Sequence, residues 1–379
     1  MTDTRTSVTR HFADLPDPRS DHGKRYSLTS LITIAICAVI CGAEDWVGIA
    51  AFGQAKERWF RTFLDLPDDD TPSDDTFRRF FERLDPDAFE RCFQSWTGAL
   101  AGVLCGVVTF DGKTLRRSFD AASGKAAIHM VSAWAGEHNM VFGQIATDEK
   151  SNEITAIPKL LEMLDIKGVT ITIDAMGCQK DIAAKIVDKG GDYVLAVKDN
   201  QPTLHEDIKG VFDDAAKNGW KGRGHDVYTE ADKGHGRIEQ RTTTITWDTA
   251  WLFGAWEKNG WKGVRCLVEV RRERIIGEKS STSVHHFIAS VESRKASRLA
   301  EICRAHWGIE NQLHWRLDMA FNEDQSRLRK GNGAENMSRL RRMGFNFLKC
   351  DRTQKMGMKN KRLMAGWDND YLIRLLASG

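Results

Sequence analysis

The feature that most constrains this chain is a change of period near residue 107. Before it, apolar residues recur at helical spacing in Leu28–Cys41, Trp46–Leu64, Asp74–Leu84 and Ala88–Leu104. Thr71-Pro72-Ser73 ahead of Asp74-Asp75 predicts a helix start, with acids near the positive end of the helix dipole. Short helices joined by tight turns, one of them carrying Arg78, Arg79 and Arg83, suit a DNA-contacting module and a plain helical bundle alike.

After the change, short β-rich runs take over. Val107–Phe110 ends at Asp111-Gly112, and Ile128–Ala135 with Val141–Thr147 reads as a hairpin across a polar turn. Ile154–Leu164 is helical, Val169–Ile173 is a β-branched strand ending at Asp174, and Gln179–Lys189 and Tyr193–Val197 continue as helix and strand. Strands followed by alternating helix and strand predict an α/β layer with a mixed sheet. Arg237–Trp247, Val264–Arg271 and Ser283–Val291 break that alternation and read as a β-rich insertion over about 202–292. A long helix over Ala296–Ala320 and a basic helical tail over about 321–379 close the chain.

A length of 379 residues allows two or three domains and a sizeable core. The boundaries expected are a helical N-terminal domain over 1–95 and an α/β domain over 96–379. The formal net charge of +2 points to no particular partner, but its distribution does. Residues 65–90 hold ten acids against three bases, whereas residues 324–363 hold twelve bases against three acids, which implies an electropositive surface with an anionic partner. The eight scattered cysteines fit reduced thiols better than a disulfide framework. Leu28–Ala43 is short for a membrane span and is interrupted by Thr29, Ser30 and Thr33, so a buried core helix is expected and no membrane partner.

Two acids follow apolar strands. Asp111 and Asp174 can project carboxylates from strand ends, where ligands gather in open α/β sheets, or can simply begin turns. A third acid, Glu310, lies at the margin of the apolar stripe formed by Ile302, Ile309, Leu313 and Leu317. There it needs a metal, an ion pair with Arg304 or Arg316, or access to water. His306, Glu310 and His314 recur at every fourth position, but no zinc or di-iron signature accompanies them. Three carboxylates without nitrogen or sulfur ligands suit Mg²⁺ or Mn²⁺, and two such ions serve phosphoryl transfer. Lys113, Arg116 and Arg117 after Asp111, Lys180 after Asp174, and Lys198 at the end of the next strand are placed to hold phosphates.

Four segments carry a family resemblance: Phe110-Asp111-Gly112-Lys113-Thr114-Leu115-Arg116, Asp174-Ala175-Met176-Gly177-Cys178-Gln179, Val197-Lys198-Asp199-Asn200-Gln201-Pro202, and His306-Trp307-Gly308-Ile309-Glu310-Asn311-Gln312-Leu313-His314-Trp315. With Lys150–Pro158 and Asp17-Pro18-Arg19, and in this order over nearly the whole chain, they resemble the ISAs1 family of insertion-sequence transposases within the IS4-like DDE group. The resemblance implies an RNase H-like mixed sheet flanked by helices, with Asp111, Asp174 and Glu310 as the metal-holding catalytic triad. It also implies an insertion domain between the second and third acids, and an accessory N-terminal domain.

In the broader group a tyrosine, an arginine and a lysine accompany the helix acid; here those positions are Cys303, His306 and Leu317, leaving His306, Arg304 or Arg316 as substitutes. The activity implied is metal-dependent cleavage at element ends and strand transfer into target DNA, by a cytoplasmic protein acting as a homodimer or larger synaptic complex. Arg327, Arg329, Lys330, Arg339, Arg341 and Arg342 of the tail would then contact backbone phosphates. A nuclease of the same fold without strand transfer and a non-catalytic DNA-binding protein are the alternatives.

Overall fold

The structure is a computed structural model that describes residues 10–21, 24–67, 70–119, 124–147, 153–234, 236–249 and 260–377. Parts of the expected insertion (235 and 250–259) and the first residues of the Lys150–Pro158 segment lie outside the described residues. The chain forms two compact units, one of residues 1–103, 112–151 and 310–379, the other of residues 104–111 and 152–309.

In the first unit the early helices are α1 (Leu28–Cys41), α2 (Trp46–Ala55), α3 (Glu57–Phe60), α4 (Asp74–Arg83) and α5 (Pro86–Ala101). Their starts follow the capping rules. Ser27, Asp45, Ser73 and Asp85 each accept a bond from a backbone N–H in the first turn, and α1 stops at Gly42, whose φ of 119° suits glycine. Every residue of α1 from Ser30 to Ile40 is buried, as a core helix requires. No single helix among the described residues is long and apolar enough to cross a membrane. Strands β2 (His129–Ala135) and β3 (Met140–Ala146) form the expected antiparallel hairpin.

The tail departs from its expected role. Its main helix, α11 (Gly333–Cys350), is buried along nearly its whole length and packs on α1, α4, α5 and β3. Asn346 completes the hydrogen bonding of β3, accepting from Val141 N at 2.9 Å and donating to Val141 O at 2.8 Å. Arg339 donates to Glu90 at 2.7 Å and to Glu335 at 2.8 Å, and Arg342 to Glu323 at 2.8 Å. Arg341 donates to the Glu44 carbonyl at 3.1 Å. All three guanidinium groups sit in the interior against protein acceptors, so the phosphate contacts expected of Arg339, Arg341 and Arg342 are corrected to internal ion pairs and hydrogen bonds.

In the second unit β1 (Val107–Thr114) begins a mixed sheet, with β4 (Thr170–Ile173) and β5 (Asp192–Val197) parallel to it in turn. Helices α6 (Glu153–Met163), α7 (Lys180–Asp188) and α8 (Pro202–Lys217) alternate with these strands. The insertion strands β6 (His225–Gly234), β7 (Arg237–Thr246), β8 (Cys266–Ile276) and β9 (Lys279–Ala289) continue the same sheet, because β9 pairs antiparallel with the open edge of β5. Strand β6 escaped the sequence reading because its polar, charged run carries almost no alternating apolar signal, as edge strands often do not.

Helix α9 (Ala296–His306) packs Leu299, Ile302 and Cys303 against Ile245, Val268 and Phe287. The single helix expected over Ala296–Ala320 is broken. It stops at His306, a π-helical turn covers Glu310–His314, and α10 (Trp315–Phe321) follows in the first unit. Helices α12 (Met358–Trp367) and α13 (Asn369–Ala377) complete that unit.

Candidate metal and phosphate site

The first two acids come together through strand register. In β1 and β4 the last paired residues are Phe110 and Ile173, and the next residue on each strand is the aspartate. Parallel neighbours lie about 4.8 Å apart, so Asp111 and Asp174 occupy adjacent positions on one end of the pair. Asp111 does not terminate its strand, as the sequence suggested; β1 runs on to Thr114 and only its pairing with β4 ends, because β4 is four residues long. Side chains alternate with period two, which sets Asp111 on the face of Thr109 and Asp174 on the face of Thr172. These threonines are hydrogen-bonded to each other, Oγ1 to Oγ1, at 3.0 Å, which identifies the shared face.

The turn after β4 shapes Asp174. Its Oδ1 accepts from Met176 N at 3.0 Å and Gly177 N at 3.3 Å, leaving Oδ2 without a hydrogen bond among the described residues. Burial raises its pKa, the nearby Glu153 adds to that, and the two N–H donors with Lys198 pull against it. Glycine is required at 177, since a Cβ there would meet Ile173 Cγ2 at 2.1 Å. Gly177→Ala is therefore expected to destabilise the fold by about 1–3 kcal/mol, which thermal unfolding would register. The same turn is tied down by the segment after β5: Asn200 donates to the Ala175 carbonyl, and Gln201 donates to the Cys178 carbonyl at 3.0 Å. Two of the segments that carried the resemblance are thus hydrogen-bonded to each other.

His306 joins the same face through Nδ1, 3.3 Å from Thr172 Oγ1. Burial first, then Lys198, lowers its pKa to about 4, so the ring is neutral near pH 7. A neutral imidazole bound to a threonine takes part there through hydrogen bonding and not through an arginine-like charge. Arg304 is likewise engaged, 3.0 Å from Glu230. Lys180 and Lys198 are exposed.

In the first unit, Glu310 opens the π turn with its side chain 61% exposed, and its Oε2 lies 3.9 Å from Nδ1 of the buried His314. The exposed carboxylate has the access to water that the margin of an apolar stripe requires, and the π turn it opens shifts the residues after it relative to a 3.6-residue period. Burial, then Arg342 and Lys113, push the His314 pKa down to about 3, leaving the neutral ring that can act as a metal ligand. Lys113 is buried and forms ion pairs with Asp318 and, at 3.2 Å, Asp324; it neutralises internal carboxylates, and its expected phosphate role is corrected. Arg116, Arg327 and Lys330 are exposed, Arg117 and Arg316 partly so, and Arg329 lies over Phe119 with 5.1 Å to the ring centroid. The chain crosses between the units at Asp111–Gly112 and again at Ile309–Glu310, so two of the three acids stand at crossings.

Carboxylate oxygens, including an unbonded Asp174 Oδ2, are the hard donors that Mg²⁺ and Mn²⁺ prefer. The eight cysteines are all free thiols, and the break after His306 removes the helical spacing that a zinc site on His306, Glu310 and His314 would have used.

Residues 104–347 match the model of the transposase DDE domain, and residues 9–97 match that of its associated N-terminal region, DDE_Tnp_1-associated. The chain belongs to the DDE transposase family. "H repeat-associated putative transposase YhhI" of Escherichia coli K12 is 40% identical over 97% of this chain and 97% of its own length. "Putative transposase YncI" of Escherichia coli O157:H7 is 39% identical over 98% of this chain and 95% of its own length. A looser likeness, at 10% identity and a TM-score of 0.43, covers 98% of this chain and 78% of a piggyBac transposase in a synaptic complex with hairpin DNA. Family membership makes this an enzyme of the transposase class that acts on DNA with divalent metal, and the matched domain contains Asp111, Asp174 and Glu310.

Proposed function

We propose that the protein cuts phosphodiester bonds at the ends of an insertion sequence and joins the freed ends to target DNA, with Asp111, Asp174 and Glu310 as its catalytic acids. The observation that carries this reading is the register that sets Asp111 and Asp174 side by side at the ends of adjacent parallel strands. Glu310 is read as the third of these acids, with the neutral His314 beside it as a further donor. Two Mg²⁺ or Mn²⁺ ions bound there would activate the attacking oxygen and stabilise the leaving one.

The residues of the chain do the rest. Met176 and Gly177 N–H groups fix the Asp174 carboxylate, and the Asn200 and Gln201 amides hold the turn that carries it. Exposed Lys180 and Lys198, with Arg116, Arg117, Arg316, Arg327, Arg329 and Lys330, would meet the anionic backbone. Residues 1–95 would serve as the accessory domain and residues 96–379 as the catalytic one, working in the cytoplasm as a homodimer or larger synaptic assembly.

The test incubates the purified protein with Mg²⁺, labelled element-end DNA and a plasmid target. Transposition predicts cut ends and joined product. Cut ends without joining would mean a nuclease, and neither product would mean a DNA-binding protein without catalysis.

A further inference from the structure

Arg339, Arg341 and Arg342 of the tail are internal, and the insertion strands carry a separate arginine cluster. Arg241 on β7 and Arg272 on β8 are directly opposite each other, as are Glu239 and Arg274, and Arg237 lies two residues from Glu239 on the same face. On β6, Glu230 and Asp232 are the partners of Arg241 and Glu239. Arg304 of α9 reaches that face, 3.0 Å from Glu230 and 3.7 Å from Asp232. Five arginines thus surround three carboxylates.

Like charges directly opposite on a sheet repel. The buried Glu239 relieves one such pair by accepting from both Arg241 and Arg272, the latter at 2.6 Å. It cannot satisfy the rest. Arg272 Nε and Arg274 Nε are enclosed donors without a hydrogen-bond partner. Arg241 Nη1 lies 3.6 Å from Glu230, within Coulomb reach but beyond a hydrogen bond. Burial lowers the Arg241 pKa most, with Arg304 and Arg272 adding to it and Glu230 opposing. The opposite face lacks this arrangement: there Arg271 stands between Thr242 on β7 and Val284 on β9.

We propose that this arginine face of the insertion strands docks the sugar-phosphate backbone of duplex DNA, with Arg237 and Arg274 among the residues that contact phosphate. This rests on the reading of the protein as a DNA transposase, and names a surface for its substrate. Phosphate oxygens would meet the exposed Arg237 and the partly exposed Arg274, whose guanidinium forks suit phosphate geometry.

The experiment measures binding of the full chain to a fluorescent duplex of random sequence, without divalent metal, over a range of salt concentrations. Arg241 and Arg272 are left intact because they hold the buried Glu239. Arg274→Gln is expected to reduce the slope of log affinity against log salt by about 0.9, the value for one lost phosphate contact, and Arg237→Gln/Arg274→Gln by about twice that. Arg271→Gln, on the other face of the same strand, should leave the slope unchanged. Circular dichroism confirms that each variant is folded. A double variant with the wild-type slope, or an Arg271→Gln effect as large as that of Arg274→Gln, overturns the proposal. Metal-dependent cleavage, measured separately, tests the transposase reading, so either can fail alone.

Discussion

Asp174→Asn is expected to eliminate cut and joined products while leaving duplex affinity intact. The substitution preserves shape, and the amide oxygen can still accept from Met176 and Gly177 N–H, so the turn should survive. What disappears is the negative charge of one ligand. Changing a residue that merely orients a metal ligand costs about 10–100-fold in affinity or activity, so loss of a direct ligand should exceed about 100-fold. The measurement is single-turnover cleavage of labelled end DNA in Mg²⁺, wild type against variant, with binding followed in parallel. An Asp174→Asn protein that cuts at the wild-type rate would exclude this carboxylate from the chemistry. If binding fell together with cleavage, Asp174 would be acting on DNA docking or on folding.

The same two aspartates show what a sequence can reveal. Each follows a short apolar run, so both acids could be singled out from adjacent residues, although β1 runs on past Asp111 to Thr114. The helix start at Ser73 was readable for the same reason: its hydroxyl accepts from the Thr76 N–H three residues on. Glu310 was identifiable but its π turn was not, because a π turn is a backbone choice that side-chain periodicity does not encode. The tail arginines failed for a different reason. Charge counting is blind to partners far away in sequence, and Arg339 finds Glu90 across 249 residues of separation. The arginine face of the insertion was missed because its members are spread over β7, β8 and α9, and only register makes them a cluster.

Those buried pairs support a second large effect. Glu323 and Arg342 are both without exposed side-chain surface and lie 2.8 Å apart, with Ser338 also taking a bond from Arg342. Removing one partner of a buried ion pair costs about 3–5 kcal/mol, because the other charge is left desolvated. Glu323→Gln and Arg342→Met should each lower stability by that amount, and the double replacement by clearly less than their sum, since neither charge is then stranded. Urea unfolding of the four proteins gives the coupling directly; strict additivity would show that the pair is not coupled.

The pH dependence follows from the charges around Glu323. Burial would raise its pKa, but Arg342, Arg341 and Lys113 outweigh that and hold it below the ordinary glutamate value. A carboxyl lowered on folding stabilises above its unfolded pKa of about 4.3 and loses that contribution as pH falls through the folded value. The stability gap between wild type and Glu323→Gln should therefore be full near neutrality and close in acid. A gap that stayed constant down to the acid limit would mean that Glu323 holds α11 by its shape and hydrogen bonds, with its charge contributing nothing.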